Sequence, residues 1–406
     1  MITQPRGFYA GGMSCGIKPS GSPDLAIVAS DRPCAAAGVF TRNRFPGAPV
    51  HVCKRHVRRG RAQAIVCNSG ISNVGTGERG IADARAMCDA VAEGLRDHHA
   101  IAEASLTPRG VLPASTGIIG RHLPMDQITA GIAELAPTLA RGDDADANAA
   151  RAILTTDHRS KTASRNIELS TGSATLGGIA KGAGMIAPNM ATMLAFLTTD
   201  AELEPAVLRR LLKAAAARTF NRVSIDSDTS TSDMVLALAN GAAGCAARSD
   251  ADVETFAEAL DDLCRALAEQ LVRDGEGVNR LMEVTIRGAA SAKDADRVGR
   301  AVVDSPLVKT ALHGGDPNWG RLVMAVGKSG AKMRPATLSI AIGEIPVLHA
   351  GEPTDLDDAA YRQLAAIMQR DRVPVVIDLA VGTQSATWIG CDLSREYIAI
   401  NADYTT

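Results

Sequence analysis

The stretch KGAGMIAPNMATMLAFLTTD, residues 181–200, admits two readings that lead to different folds. Gly182-Ala183-Gly184-Met185-Ile186-Ala187 matches the G-x-G-x-x-A fingerprint of a dinucleotide-binding turn, and Asp200, eighteen residues after Gly182, stands where a ribose-binding acid belongs. That fingerprint must open a helix. Pro188-Asn189 interrupts the helix at once, and the apolar run that follows, broken only by Thr192, reads as a buried strand. The glycines then mark a turn ahead of a strand.

Outward from this turn the chain alternates strands and helices. Short apolar runs rich in β-branched residues predict strands at 25–30, 62–70, 109–116, 282–288, 337–343 and 373–381. A hairpin is expected at RNIELSTGSATLGGIA, with Thr171-Gly172 as its turn. Helical spacing is clear after Pro205 (Val207, Leu208, Leu211, Leu212, Ala215), along Val253 to Leu271 with a stop at Asp274-Gly275, and from Ile81 to Leu95. Mixed elements in both halves predict an α/β layered architecture. ARGDDADANAA, residues 140–150, reads as a mobile surface connection.

Composition narrows the function classes. At 406 residues the chain is long enough for two or three core-forming units, and a formal charge of -2 without long like-charge runs speaks against a nucleic-acid partner. The basic stretch RHVRRGR at 55–61 lacks accompanying aromatics and reads as a solvated helix end. No run approaches a membrane span and no signal-peptide layout opens the chain, so a cytoplasmic enzyme is expected. The eight cysteines form no C-x-x-C pair and the eight histidines no ligand spacing; buried thiols and no metal are expected. Gly327-Lys328-Ser329 is no P-loop, because Gly320 stands seven residues ahead of Gly327, wider than that motif allows. His313-Gly314-Gly315 echoes a lipase oxyanion loop only in part, with no G-x-S-x-G elbow to match.

Thr192 remains as a candidate for chemistry. A threonine hydroxyl is hardly ionised at neutral pH and needs a base beside it. If the chain is cut before the threonine, the freed α-amine, with a reference pKa of about 7.7 to 8.0, serves as that base. The same threonine can make the cut by attacking the Ala191 carbonyl, shifting the acyl group from nitrogen to oxygen and leaving an ester for water to hydrolyse. Such a site needs a small preceding residue, a rigid surrounding backbone and oxyanion donors. Ala191 and the Gly/Pro frame at 182–188 meet the first two needs.

K-G-A-G-M-I-A-P-N-M-A-T-M-L resembles the autocleavage segment of the ornithine acetyltransferases, the bifunctional glutamate N-acetyltransferase / amino-acid acetyltransferase family of arginine biosynthesis. RGFYAGGMSCGIK, AGVFTRNRFPGAPV, PASTGIIG, ILTTD, FNRVSIDSDTSTSD, DGEG, SPLVKTALHGGDPNWGR and NADYTT follow in the family's order. The resemblance implies a layered αββα-type sandwich of mixed sheets, self-cleaved between Ala191 and Thr192 into subunits 1–191 and 192–406 that fold together. It implies Thr192 as nucleophile, the Thr116 hydroxyl and Gly117 N–H as oxyanion donors, and Thr155, Lys181, Thr192, Glu276, Asn401 and Thr406 as substrate contacts. The implied reaction is ping-pong acetyl transfer from N2-acetylornithine to glutamate through an acetyl-threonine, without a cofactor, some members also taking acetyl-CoA as donor. The implied assembly is a heterotetramer of two cleaved protomers, or larger.

Three stretches depart from the family pattern: Asn68-Ser69-Gly70-Ile71-Ser72-Asn73, Asp226-Ser227-Asp228-Thr229-Ser230-Thr231-Ser232-Asp233, and His158-Arg159-Ser160-Lys161 after T-T-D. The first two bear on donor and acceptor preference, and the third has no role assignable from sequence. Two rivals stand beside the transferase. One is an amidohydrolase or aminopeptidase with the same threonine and water as acceptor; the other is an uncleaved binding protein.

Overall fold

The computed structural model describes residues 1–101, 106–187 and 193–403. Strands β1 (Phe8–Met13), β2 (Leu25–Phe40), β3 (Arg61–Ile71) and β4 (Val111–Ile118) are joined through β2 to β5 (Lys161–Leu169), β6 (Gly172–Lys181), β7 (Leu194–Thr199) and β8 (Met234–Ala239). They form one eight-stranded mixed sheet in the order β4-β3-β2-β8-β7-β6-β5, with β1 also on β2. The sheet folds over along β2. Its first half pairs with β1 and β3, the register shifts between Ala29 and Cys34, and its second half pairs with β8. An irregularity of this kind bends a strand and lets it pass from one layer to another.

Among the described residues, six α-helices accompany this sheet: α1 (Ala48–Val57), α2 (Gly77–Gly94), α3 (Met125–Leu135), α4 (Asp143–Ala152), α5 (Pro205–Arg218) and α6 (Asp250–Arg273). Between the two halves of the sheet lies one core, with Phe8, Val28, Ile65 and Leu112 from one layer against Ile179, Leu194, Phe196 and Leu236 from the other. Outside the first layer, Ile27 and Val66 pack with Met87, Val91, Ile128 and Ile132 of α2 and α3. Outside the second, Ala195, Leu197 and Val235 pack with Leu208 and Leu212 of α5 and Phe256, Leu260 and Leu267 of α6. The result is the predicted αββα sandwich. Because β7 is buried on both faces, its sequence is a continuous apolar run rather than an alternating one.

The helix caps follow sequence rules. Pro205 opens α5, Ser249 caps α6 by accepting the Asp252 N–H at 3.1 Å, and α6 stops at Asp274. The expectation of a mobile connection at 140–150 is corrected, since most of it is α4. Ala145, Ala149 and Ala152 recur at helical spacing and are buried, and Asp143, Asp144 and Asp146 stand in the first turn, where acids suit the helix dipole. Asp146 also accepts the Thr3 N–H at 2.8 Å, tying the helix to the chain's first residues. Gly12 of β1 makes the close approach possible, because a Cβ there would fall 2.2 Å from the Asn148 carbonyl oxygen.

A second, six-stranded sheet follows: β9 (Leu281–Ala289), β10 (Ser339–Ile342), β11 (Ile345–His349), β12 (Glu352–Pro353), β13 (Arg372–Asp378) and β14 (Gln384–Cys391). Its order is β12-β11-β10-β13-β9-β14, with β13 parallel to β9. α7 (Ala292–Val303), α8 (Pro306–Gly314), α9 (Trp319–Gly327) and α10 (Asp358–Met368) share one core with it, and α11 (Arg395–Asp403) returns toward the sandwich. The sequence marked β9, β10 and β13, but not β11, β12 and β14 or the separation into a second sheet. Gly327-Lys328 is the end of α9 and Gly315 the left-handed cap of α8, so neither glycine cluster cradles a ligand. All eight cysteines are free and seven are buried. Among the described residues no helix is long and apolar enough to cross a membrane.

Candidate active site

Strand periodicity places two side chains face to face inside the sandwich. On β4, Thr116 continues the face of Leu112 and Ala114, and on β6, Lys181 continues the face of Ile179; both faces line the core between the layers. There the buried Lys181 Nζ lies 3.4 Å from Thr116 Oγ1 and donates to Thr155 Oγ1 at 2.7 Å. Lys181 is also cross-strand from Leu194 at the start of β7, so this cluster sits where the chain passes from β6 to β7.

Gly117 follows Thr116 with a φ of +124°, and it lies in register with Gly70 of β3. A Cβ on Gly117 would fall 2.3 Å from the Gly70 carbonyl carbon, so only glycine fits. The neighbouring N-S-G-I-S-N segment braces this strand end. Asn68 Oδ1 accepts the Ser115 hydroxyl at 2.6 Å, Ser69 donates to the Ala152 carbonyl at 2.6 Å, and Ser72 donates to the Ile118 carbonyl at 2.8 Å. Ser72, inside a stretch that departs from the family pattern, is thus itself one of the braces.

A second pair lies on the other side of the Lys181–Gly184 segment. The Glu276 N–H donates to the Ala183 carbonyl at 2.9 Å, and its carboxylate accepts Asn401 Nδ2 of α11 at 2.9 Å. Gly184 makes room for that carboxylate, since a Cβ there would fall 2.4 Å from Glu276 Oε2. The turn itself is held by backbone donors: Gly182 N–H to Asp157 at 2.5 Å, and Met185 and Ile186 N–H to Asp226 at 2.5 and 2.7 Å. Its backbone is firmly fixed up to residue 187, including Met185 in the left-handed region at φ +56°. The structure thus brings together Thr116, Gly117, Thr155 and Lys181 in one group and Glu276 with Asn401 in another. Ala191, Thr192 and Thr406 lie outside the described residues.

Four carboxylates escaped sequence reasoning. Asp157, the last residue of T-T-D, is buried; burial pushes its carboxyl up, but Lys181 and Lys161 more than offset this and hold it well below the usual carboxylate range. Lys161 Nζ donates to Asp157 at 2.5 Å and forms a second buried ion pair with Asp274. Asp226 accepts the turn amides just described; burial is the main influence on it and raises its pKa. Asp233 is fully enclosed beside Met193, and its Oδ2 meets no hydrogen-bond partner among the described residues. Only their places inside the motifs T-T-D, D-G-E-G and D-S-D-T-S-T-S-D hinted at these acids. Asp200, the would-be ribose ligand, instead accepts the Arg6 and Thr175 amides at the end of β7.

Asp233 gives a pH prediction. Burial raises its pKa well above 3.8, so above that value the unfolded chain sheds a proton that the folded chain keeps, and this group's contribution weakens folding as pH rises. Asp233→Asn removes the effect. The stability of the variant relative to wild type, measured by urea unfolding, is expected to increase with pH above about 4, with a slope of at most about 1.4 kcal/mol per unit. A difference independent of pH would contradict this.

A cavity of about 560 Å³ lies beyond Lys161 and Asp274 and is lined also by His158, Arg159 and Arg280. It contains neither Lys181, Thr116 nor Glu276. The unusual His158-Arg159 pair forms part of its wall, both backbone amides donating to Asp274 at 3.0 Å. Among the described residues no group of three or more His, Cys, Asp or Glu side chains is placed to hold a metal ion.

Comparison with known proteins agrees over the whole chain. A profile described as the ArgJ family matches residues 9–406. The arginine biosynthesis bifunctional protein ArgJ of Symbiobacterium thermophilum is 44% identical over 100% of this chain and 98% of its own. That of Deinococcus radiodurans is 45% identical with the same coverage. Among solved structures, ArgJ of Bacillus halodurans aligns with 40% identity and a TM-score of 0.49 over 51% of this chain and 97% of that chain. Ornithine acetyltransferase of Mycobacterium tuberculosis, complexed with ornithine, aligns with 42% identity and a TM-score of 0.43 over 46% of this chain and 94% of that one. With matches spanning the sandwich, the second sheet and the segment between β6 and β7, the chain belongs to the ArgJ family.

Proposed function

We propose that this enzyme, an acyltransferase of arginine biosynthesis, cuts itself between Ala191 and Thr192 and then moves an acetyl group from N2-acetyl-L-ornithine to L-glutamate. The observation that carries this reading is the contact of Lys181 with Thr116 across the sandwich interior, at the level where the chain leaves β6 and enters β7. In the first half-reaction the Thr192 α-amine takes the hydroxyl proton while Oγ attacks the acetyl carbonyl. The Thr116 hydroxyl and Gly117 N–H stabilise the oxyanion. The C–N bond then breaks, ornithine leaves with the proton, and an acetyl ester remains on Thr192. In the second, the α-amine of glutamate attacks the ester and regenerates Thr192.

Lys181 supplies positive charge for the substrate carboxylate, Glu276 with Asn401 receives the substrate amine, and Thr155 and Thr406 complete the contacts. The cut yields subunits 1–191 and 192–406. Strands β1 to β6 precede the cut and β7 and β8 follow it within one sheet, which supports two fragments held as one fold. The active form is a heterotetramer of two such protomers in the cytoplasm, with acetyl-CoA as a second donor.

The test is incubation with N2-acetylornithine with and without glutamate. Ornithine release beyond one equivalent per site is expected to need glutamate, with N-acetylglutamate formed in equal amount to that continued release. Equal release without glutamate would instead make water the acceptor and the protein a hydrolase.

A further inference from the structure

Lys181 is the end of a chain of four buried charges. Asp274 pairs with Lys161, Lys161 with Asp157 at 2.5 Å, and Asp157 with Lys181 at 3.7 Å. All four side chains are less than a tenth exposed. Stability alone does not call for such a chain, since buried ion pairs are often no better than apolar side chains of the same volume.

The hydrogen-bond directions show what the chain arranges. An ammonium has three donors. Lys181 faces Thr155 Oγ1 at 2.7 Å, Thr116 Oγ1 at 3.4 Å and the Asp157 carboxylate at 3.7 Å. Thr155 passes its own proton on to Asp157 at 3.4 Å, and its amide donates to the same carboxylate at 3.0 Å. Thr116 differs. Its oxygen accepts from Lys181, but its hydroxyl proton meets no acceptor among the described residues. A hydroxyl that accepts from a cation is polarised as a donor, and its proton points away from that cation.

We propose that Asp157, seated on Lys161 and Asp274, is a positioning residue for the oxyanion hole: it fixes Lys181 against Thr116 Oγ1, so that the Thr116 O–H is a polarised donor aimed into the site. Lys181 then acts on the transition state through Thr116, in addition to its charge toward substrate. The other oxygen of Asp157 takes the Gly182 N–H at 2.5 Å, so one carboxylate sets both the lysine and the start of the turn that leads to residue 192. The assignment rests on the reading of Thr116 as an oxyanion donor to a reaction at Thr192.

The test is Asp157→Asn, which keeps the shape and an acceptor for Gly182 N–H but removes the charge that holds Lys181. In the folded fraction, checked by thermal unfolding, kcat is expected to fall by about 100-fold, well beyond any rise in KM for N2-acetylornithine from the loosened Lys181. Asp157→Asn combined with Thr116→Val should lose little more than Thr116→Val alone, because both act on one donor. An unchanged kcat, or fully multiplicative losses in the double variant, overturns the assignment while leaving acetyl transfer by wild type intact. If wild type itself transfers no acetyl group, it is the proposed function that falls. Should Asp157→Asn not fold, Lys161→Gln carries the same test: a kcat about 10-fold lower, with a smaller change in KM, supports the role, and an unchanged kcat overturns it.

Discussion

Thr192→Ala is expected to give one uncut chain of 406 residues and to lower acetyl transfer by about 10⁴-fold or more. On the proposed mechanism the substitution removes the single oxygen that attacks Ala191 and later carries the acetyl group. The groups that hold the turn at 182–187, the carboxylates of Asp157 and Asp226 and the backbone amides, offer no replacement hydroxyl. The fold should survive. β7 begins two residues later, and its burial against both layers does not depend on the threonine hydroxyl. A denaturing gel with intact mass reads the cut, and a folded but cleaved alanine variant would refute the assignment.

Thr116→Val should be the next most damaging change. It is close to isosteric, so the core between the layers stays filled, but the hydroxyl that faces Lys181 is lost. Loss of one oxyanion donor lowers kcat by about 10²- to 10³-fold. Self-cleavage passes through a similar tetrahedral oxyanion and should slow by a comparable factor, so a time course on a gel and steady-state kinetics provide two independent readings. Normal cleavage and normal kcat in this variant would remove Thr116 from the oxyanion hole.

Much of this was legible in the sequence, for identifiable reasons. β7 could be recognised because a strand covered on both faces is written as an unbroken apolar run, and that run excluded the dinucleotide-binding helix suggested by Gly182 to Ala187. The β5–β6 hairpin could be recognised because Gly172, at φ +137°, marks its turn. α4 was misread because three acids in its first turn look like a surface loop, while the evenly spaced alanines that bury it are weak apolar signals. The second sheet was hidden because the parallel register of β9 with β13 is set by tertiary packing, not by either strand's own pattern.

The site divides in the same way. Thr116, Gly117, Lys181 and Glu276 could be singled out because each lies in a short motif with a family counterpart. The ion chain behind them was not, because Asp157 and Asp274 are 117 positions apart and meet only through Lys161. Periodicity places a residue on a face, but it does not say which charge from another element will be buried against it.

The central claim is that Thr192 becomes a free N-terminal nucleophile that carries the acetyl group. Its most direct test is the intact mass of the purified wild-type protein, before and after brief incubation with N2-acetylornithine in the absence of glutamate, followed by peptide mapping. Two fragments are expected, the second beginning at Thr192 and gaining one acetyl group on that residue, which glutamate then removes. A single full-length chain, or an acetyl group on any other residue, would contradict the account.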